Sequence, residues 1–256
     1  MEVLFLGTCA CDYSGALKSI YKDCFDKNAR RSSAVLLGDN ILIDCGEHCL
    51  ESLRISNTDI SKITDIFITH LHSDHFNVRN IEFLASGKAK PLRVWVRADV
   101  VLPKLDNVEL RYMENMQTYS VSEDFLVTGL TANHDPQTCP QHLLFEIQGK
   151  KFLYACDGAW FLTGTYNYLK EKNLDLCVLD ATCGEKVGEY RIAEHNSLPM
   201  IRLMLPSLKT VGVIDNHTQV YLSHIAPSLH SAHDQIEKSV KKDGLKVAYD
   251  GLKIVL

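Results

Sequence analysis

Asp65-Ile66-Phe67-Ile68-Thr69-His70-Leu71-His72-Ser73-Asp74-His75 is the stretch on which the reading of this chain turns. Its apolar start predicts a strand over Asp65–Thr69, and the strand runs directly into His-x-His-x-Asp-His. Four metal-ligand side chains therefore fall within six residues. On an extended backbone side chains alternate with a period of two, so His70 and His72 project the same way and reach one cation. Asp74 and His75 lie past the strand end, where a turn aims them at a second cation nearby. Imidazole nitrogens and carboxylate oxygens suit zinc, manganese, iron or nickel.

Two cations need further ligands, and these appear downstream at the ends of other predicted strands. His134 follows Phe125–Thr131, Asp157 follows Lys151–Ala155, and His224 follows Gln219–Leu222. Any one of them alone reads as an ordinary polar residue. Together with the cluster they make an array of five His and two Asp gathered at strand ends.

The rest of the chain fits a soluble enzyme of one domain spanning 1–256. It has 256 residues, 46% of them hydrophobic, and 27 Lys+Arg against 32 Asp+Glu for a net charge of −5. That composition excludes a disordered chain. No apolar run approaches the roughly 18 residues of a membrane span, and Met1-Glu2-Val3-Leu4-Phe5-Leu6-Gly7 lacks the basic start of a signal peptide, so no membrane partner and a cytoplasmic address are expected. The 9 cysteines are odd in number and are expected to be free thiols. Mild acidity argues against a long nucleic acid held by phosphate neutralisation.

Short β-rich runs recur from Val3–Leu6 to Leu252–Val255. Gly38-Asp39-Asn40, Gln148-Gly149-Lys150 and Asp250-Gly251 read as hairpin turns. Helical periodicity is clearest at Trp160–Lys172, Leu198–Leu208 and Leu229–Lys242, and weaker at His48–Ile55 and Val78–Ala85. Tyr112–Ser120 reads as loop. Strands in bunches with helices between them predict a layered α/β fold with facing mixed sheets. No Gly-x-Gly-x-x-Gly or P-loop pattern occurs.

The ordered His-x-His-x-Asp-His, His, Asp and His resemble the metallo-β-lactamase superfamily. The resemblance runs from Phe5-Leu6-Gly7-Thr8 through Leu42-Ile43-Asp44-Cys45-Gly46 to the last His. It implies a four-layer αββα sandwich built from an internal duplication. It also implies that His70, His72 and His134 hold one metal, that Asp74, His75 and His224 hold the other, and that Asp157 bridges them. Asp44 would support the site from behind.

Within the superfamily the chain is similar to PhnP-like phosphodiesterases, which open cyclic ribose phosphates. Ala29-Arg30-Arg31-Ser32-Ser33, Val178-Leu179-Asp180, Glu194-His195-Asn196, Ser223-His224-Ile225 and Tyr249-Asp250-Gly251 carry that likeness. By it His195 would contact the substrate phosphate and act as general acid, and His195 and Asp74 are taken as the catalytic residues. Those relatives hold a structural zinc on Cys-x-Cys-x-x-Cys and a His three residues after the last catalytic His. Here Cys24 stands alone in the matching stretch, Pro227 takes the His position, and Cys9-x-Cys11 falls at the Gly7-Thr8 turn, so that zinc is expected to be absent.

The resulting expectation is a hydrolase in which two divalent cations, zinc or manganese with iron or nickel as further candidates, activate a water to hydroxide. Its expected substrate is a small cyclic or nucleotide-like phosphate ester. An RNA-processing nuclease, a lactone or thioester hydrolase, and a non-catalytic metal-binding module stand as alternatives, and a homodimer is suggested by the resemblance alone. Arg30-Arg31 reads as a solvated pair or a phosphate contact, His230 and His233 as surface residues on one helix, Cys156 as core, and Tyr154 and Trp160 as core or pocket wall.

Overall fold

Period-two alternation within the apolar runs sorts their side chains onto two buried faces. In Val3-Leu4-Phe5-Leu6 the first and third residues join one apolar cluster and the second and fourth another. The same split recurs at Phe152-Leu153-Tyr154-Ala155. Strands buried on both faces read as continuous apolar runs in the sequence, because neither face meets water.

The computed structural model describes residues 1–12 and 23–256. The first sheet has seven strands in the order β14-β1-β2-β3-β4-β5-β6. These are β1 (Glu2–Gly7), β2 (Ala34–Leu37), β3 (Ile41–Ile43), β4 (Asp65–Phe67), β5 (Leu92–Arg97), β6 (Val108–Met113) and β14 (Lys253–Val255). The second also has seven, in the order β13-β12-β11-β10-β9-β8-β7. They are β7 (Thr118–Ser122), β8 (Phe125–Thr131), β9 (Gln141–Ile147), β10 (Lys150–Ala155), β11 (Leu176–Asp180), β12 (Gln219–Ser223) and β13 (Lys246–Val247).

From β14 to β6 and from β7 to β13, each sheet shows three antiparallel pairings followed by three parallel ones. This repeat agrees with an internal duplication in which β14, from the end of the chain, fills the place in the first sheet that β7 fills in the second.

Phe5, Phe67, Phe125, Phe145, Phe152 and Tyr154 pack in the layer between the sheets. Outside the first sheet lie α1 (Cys49–Ile55) and α2 (Val78–Ala85), which bury Leu53, Ile81 and Leu84 against it. Outside the second lie α3 (Thr163–Leu169), α4 (Leu198–Thr210) and α5 (His233–Val240), which bury Leu169, Ile201, Leu208 and Ile236. The fold is the four-layer αββα sandwich. Among the described residues no helix is long and apolar enough to cross a membrane.

Several boundaries differ from the sequence reading. Tyr112–Ser120 is not a loop: its ends belong to β6 and β7, edge strands whose half-exposed alternation lacks the strong apolar runs of the interior strands. Asp250-Gly251 closes no hairpin, because β13 and β14 lie in different sheets, and the turn carries the chain from one to the other. The Trp160–Lys172 helix shrinks to α3, and the Leu229–Lys242 helix starts only at His233.

Two contacts between loops set the frame for the strand ends. A Cβ on Gly46 would stand 1.8 Å from the Asp74 carbonyl oxygen, so only glycine lets the loop after β3 lie against the loop after β4. Asp250 is buried and accepts from Thr8 Oγ1 (2.8 Å) and the Arg31 N–H (2.7 Å), tying the crossover turn to the end of β1.

Gly46→Ala is expected to cost about 1–3 kcal/mol, as overpacking of a dense interior does, read as a lower denaturation midpoint. An unchanged midpoint would mean that the Asp74 backbone yields freely. Burial pushes the Asp250 carboxyl up to about 7, against the pull of the Arg31 N–H, Arg30 and Thr8. Because the unfolded value is about 3.9, its contribution to stability is full below that pH and lost as pH rises towards the folded value. Asp250→Asn should therefore gain stability relative to the unsubstituted protein between about pH 4 and 7. A flat difference in denaturation free energy across that range would contradict the assignment.

Candidate metal centre and its cleft

Both sheets deliver their functional side chains from loops that follow strand ends. Asp44 follows β3, His70 to His75 follow β4, His134 follows β8, Asp157 follows β10, Asp180 ends β11 and His224 follows β12. The strand before the histidine cluster is shorter than expected, ending at Phe67 rather than Thr69. His70 and His72 are thus brought together by the loop and not by strand alternation. Asp44 (φ 62°) and His224 (φ 56°) take left-handed backbone conformations, which are uncommon for non-glycine residues and turn each side chain sharply off its strand.

The structure brings all seven expected ligands together in two groups that share Asp157. In the first, His70 Nε2 and His134 Nε2 lie 3.0 and 3.1 Å from His72 Nδ1, and His70 Nε2 lies 3.1 Å from Asp157 Oδ2. In the second, His75 Nε2 lies 3.2 Å from His224 Nε2, 3.4 Å from Asp74 Oδ2 and 3.1 Å from the same Asp157 Oδ2. Donors held about 2.0–2.1 Å from a tetrahedral zinc stand about 3.3 Å apart. The observed spacings suit such a cation in each group.

Hydrogen bonds on the far side of the rings point the same way. Asp44 Oδ1 accepts the Thr69 N–H (2.8 Å) and Asp44 Oδ2 accepts His75 Nδ1–H (2.7 Å). The Thr69 hydroxyl donates to Asp44 (2.9 Å) and lies 3.1 Å from His70 Nδ1, placed to accept from it. His134 Nδ1 donates to the Glu194 carbonyl (3.3 Å), and His224 Nδ1 faces the Thr182 hydroxyl (2.7 Å) and Asp157 Oδ1 (2.6 Å). With Nδ1 protonated in these four rings, each Nε2 presents a bare lone pair to the centre, as metal ligation requires. His72 reverses the pattern and offers Nδ1.

Electrostatics reinforce the grouping. Burial pushes His70 down to about 3, keeping it neutral. Burial also opposes charge on His224, but Asp157 and Asp74 outweigh it and carry His224 up to about 10, so with no cation present a proton takes the place on Nε2 that a metal would take. Burial works against the Asp74 anion, yet His75 and His224 hold its carboxyl well below the usual range. The paired carboxylates thus remain anionic ligands at neutral pH.

His195 stands at the edge of this array. Its Nδ1 donates to Asp180 Oδ2 at 2.7 Å, with the Thr182 hydroxyl 3.2 Å away. Burial favours the neutral ring, but Asp180 prevails and raises His195 above the ordinary histidine value. Asp180 itself accepts the N–H groups of Thr182 (2.8 Å), Gly158 (3.2 Å) and Asn196 (3.3 Å), so its carboxylate is locked before it meets the ring. Spacing along the sequence assigns no role to Asp180 or to Thr182. The available signal was positional, since Asp180 closes an apolar strand much as Asp157 does.

His72, Asp74, His134, Asp157, His195 and His224 line an open cleft of about 300 Å³, with Cys11, Arg191 and Glu194 on its walls. A larger groove of about 800 Å³ lies along α2 and the start of β5, away from these ligands. Other expectations are corrected. Arg30 and Arg31 are buried, not solvated. His233 is buried, and His230 lies before α5, where its Nε2 donates to the Ala181 carbonyl (2.7 Å). Trp160 is 41% exposed and lines neither the core nor the cleft, whereas Tyr154 and Cys156 are core residues. Cys9 is buried, Cys11 and Cys24 are exposed, and among the described residues no cysteine joins a group able to hold a metal.

Comparison with known proteins places this geometry. Ribonuclease Z of Archaeoglobus fulgidus is 36% identical over 78 residues, 29% of this chain and 21% of that protein. Human zinc phosphodiesterase ELAC protein 1 is 40% identical over 79 residues, 30% of this chain and 18% of that protein. The matched stretch is thus about a fifth of the length of these relatives. Among solved structures, the metallo-beta-lactamase fold protein YhfI from Bacillus subtilis gives a TM-score of 0.74 at 18% identity, covering 99% of this chain and 98% of that one. A diphosphatase from the PhnP family gives 0.71 at 18% identity over 100% and 97%. Human tRNase Z, short form, gives 0.68 at 19% identity over 100% and 99%. At these identities the structural likenesses speak for the fold.

The relatives overturn one expectation. Mild acidity argues against a long nucleic acid, but chains that match this one are named ribonuclease Z and tRNase Z. Total charge averages over the whole surface and does not report the field in a metal-binding cleft. The profile of the metallo-beta-lactamase superfamily matches residues 28–161, just over half of the chain and the part that holds six of the seven gathered ligands, and the protein belongs to that superfamily.

Proposed function

We propose that this protein is a metal-dependent phosphodiesterase that hydrolyses a nucleotide-like phosphate ester, with His195 donating the proton to the leaving oxygen. The observation that carries this reading is the 2.7 Å contact between His195 and Asp180 beside the shared carboxylate of Asp157. Phosphodiester hydrolysis expels an alkoxide, a poor leaving group that needs a proton, and an imidazolium held by a carboxylate supplies one. Residues 1–256 are proposed to act as one domain, which the apolar layer shared by both sheets supports.

His70, His72 and His134 are assigned to one divalent cation and Asp74, His75 and His224 to a second, with Asp157 shared. Zinc or manganese fits the donors best, and iron or nickel also fits. When bound, such a pair supplies hydroxide near neutral pH and neutralises charge on the phosphoryl oxygens. The protein's own groups do the rest. Asp44 and Thr69 fix the rings of His75 and His70. Thr182 fixes His224. Asp180 holds His195 by Nδ1 and so leaves Nε2 as the nitrogen free for a substrate. Among the described residues Arg191, paired with Glu189 (2.9 Å), is the lysine or arginine that lines the cleft, and it is proposed to meet the rest of the ester.

A second reading, the same hydrolysis on an RNA strand, is favoured by the matches to ribonuclease Z. The two share every chemical role and differ only in how far the substrate extends beyond the cleft.

One assay tests the class of reaction. Metal-loaded protein is offered a ribose cyclic phosphate, a linear phosphodiester, an RNA with a 3′ extension and a lactone. Turnover of phosphodiesters is expected, lost on chelation and restored by zinc or manganese. Turnover of the lactone alone would exclude the proposal, and inactivity on all four with both metals bound would favour a binding module. His195→Ala should slow an ester with an alkyl leaving group by about 10²–10⁴-fold, and an ester with a nitrophenyl leaving group much less. Equal losses on both would remove the acid role. Asp157→Ala should lower metal content and activity together, and two metals per chain in that variant, by elemental analysis, would argue against a shared ligand.

A further inference from the structure

Arg30 is a buried cation without an ion-pair partner. It is 3% exposed, and its guanidinium donates to the Thr8 hydroxyl (2.6 Å), the Ala248 carbonyl (2.6 Å) and His233 Nδ1 (3.0 Å), all neutral acceptors. Among the described residues no carboxylate lies within ion-pair distance of it, and Asp250 acts on it only from beyond contact. Among the described residues its Nε has no hydrogen-bond partner. A buried charge left in this state is costly unless a counter-ion reaches it.

A pocket of about 390 Å³ opens beside it. Arg30, Asn28, His230, Ser231 and His233 line its walls, and Ala232 brings the N-terminus of α5 to its edge. Ala232 is the N-cap of that helix and provides no side-chain oxygen for the free N–H groups. Asn28 Oδ1 takes one of them, the His233 N–H, at 2.8 Å. Since His233 Nδ1 accepts from Arg30, its proton sits on Nε2, which is fully buried away from the pocket, lies 3.9 Å from Glu237 Oε2 and has no hydrogen-bond partner among the described residues. The same tautomer argues against a metal on His233, Asp234 and Glu237, because a protonated nitrogen is no ligand. One acid lines the pocket, Asp26, and its Oδ1 accepts the Asn28 N–H (2.8 Å).

We infer that this pocket, formed by Arg30, Asn28, Ser231 and the start of α5, is an anion site for a phosphate group, separate from the metal centre. A buried guanidinium facing a helix N-terminus suits a phosphate, which accepts several N–H bonds at once and is favoured by the helix dipole. The phosphate is either free orthophosphate or a group carried by a nucleotide. Ile225, on the pocket wall, directly follows His224, so the pocket lies one residue behind the loop that carries the last metal ligand.

The test counts phosphate bound to the metal-loaded full chain by equilibrium dialysis, with orthophosphate in one arm and adenosine 5′-monophosphate in the other. Ala232→Asp puts a carboxylate on the α5 N-cap, where it satisfies the helix end and repels an anion. This variant should bind about one phosphate per chain fewer, the metal-centre component being common to both proteins. Loss in both arms assigns the pocket to phosphate itself, and loss only with the nucleotide assigns it to a nucleotide's phosphate. Arg30→Met, checked for folding by circular dichroism, should show the same loss. Phosphate should also raise the melting temperature of the unsubstituted protein more than that of Ala232→Asp at matched ionic strength. Equal binding and equal melting shifts in the two proteins would overturn the inference.

Discussion

The Asp157 carboxylate is the point on which the centre depends. One of its oxygens lies 3.1 Å from both His70 and His75, and the other lies 2.6 Å from His224. No single strand end could satisfy so many nitrogens around one buried carboxylate. His70 and His75 come from the first sheet, Asp157 and His224 from the second, so the contact exists only when the two sheets are packed face to face. The aromatic layer between the sheets therefore sets the distance across the centre, and packing errors there would be felt as ligand errors. A centre of this kind punishes loose packing, because interiors respond to changes as small as one methylene.

Behind four of the five candidate histidine ligands stands a group that decides which nitrogen is bare. Asp44, Thr69, Thr182 and the Glu194 carbonyl accept the outward protons, and Gly46 lets the loop carrying Asp74 lie close enough to join in. The same logic extends to His195, whose Nδ1 is held by an Asp180 already fixed through backbone N–H groups. The proposed acid and the candidate ligands share one continuous network, with Thr182 touching both His195 and His224.

Much of this is legible in the sequence. His-x-His-x-Asp-His after an apolar strand is a local pattern, and His134, Asp157 and His224 stood out because each follows a strand of two buried faces. The edge strands β6 and β7 were missed because half-exposed strands carry a weaker apolar signal. Arg30 and Arg31 were misread for the opposite reason, since adjacent arginines normally mark a surface, and only a fold that surrounds them can bury them. The charge argument against nucleic acid failed because a sum over residues contains no positions.

By itself the sequence determined which residue types were on hand for chemistry and, through alternating apolar runs, that both faces of most strands would be buried. Spacing along the chain carries that information because strand periodicity is a local property of the backbone. Tertiary structure gathered around Asp157 the two groups that the resemblance implied, and it alone decided that Asp180 and Thr182 hold His195 and His224 and that Asp250 turns the chain from one sheet to the other. It also decided that Arg30 lies buried, with the Thr8 hydroxyl standing between it and Asp250. Those are relations between segments as far apart as Thr8 and Asp250, and they arise only where packing brings strand ends from two sheets to one edge.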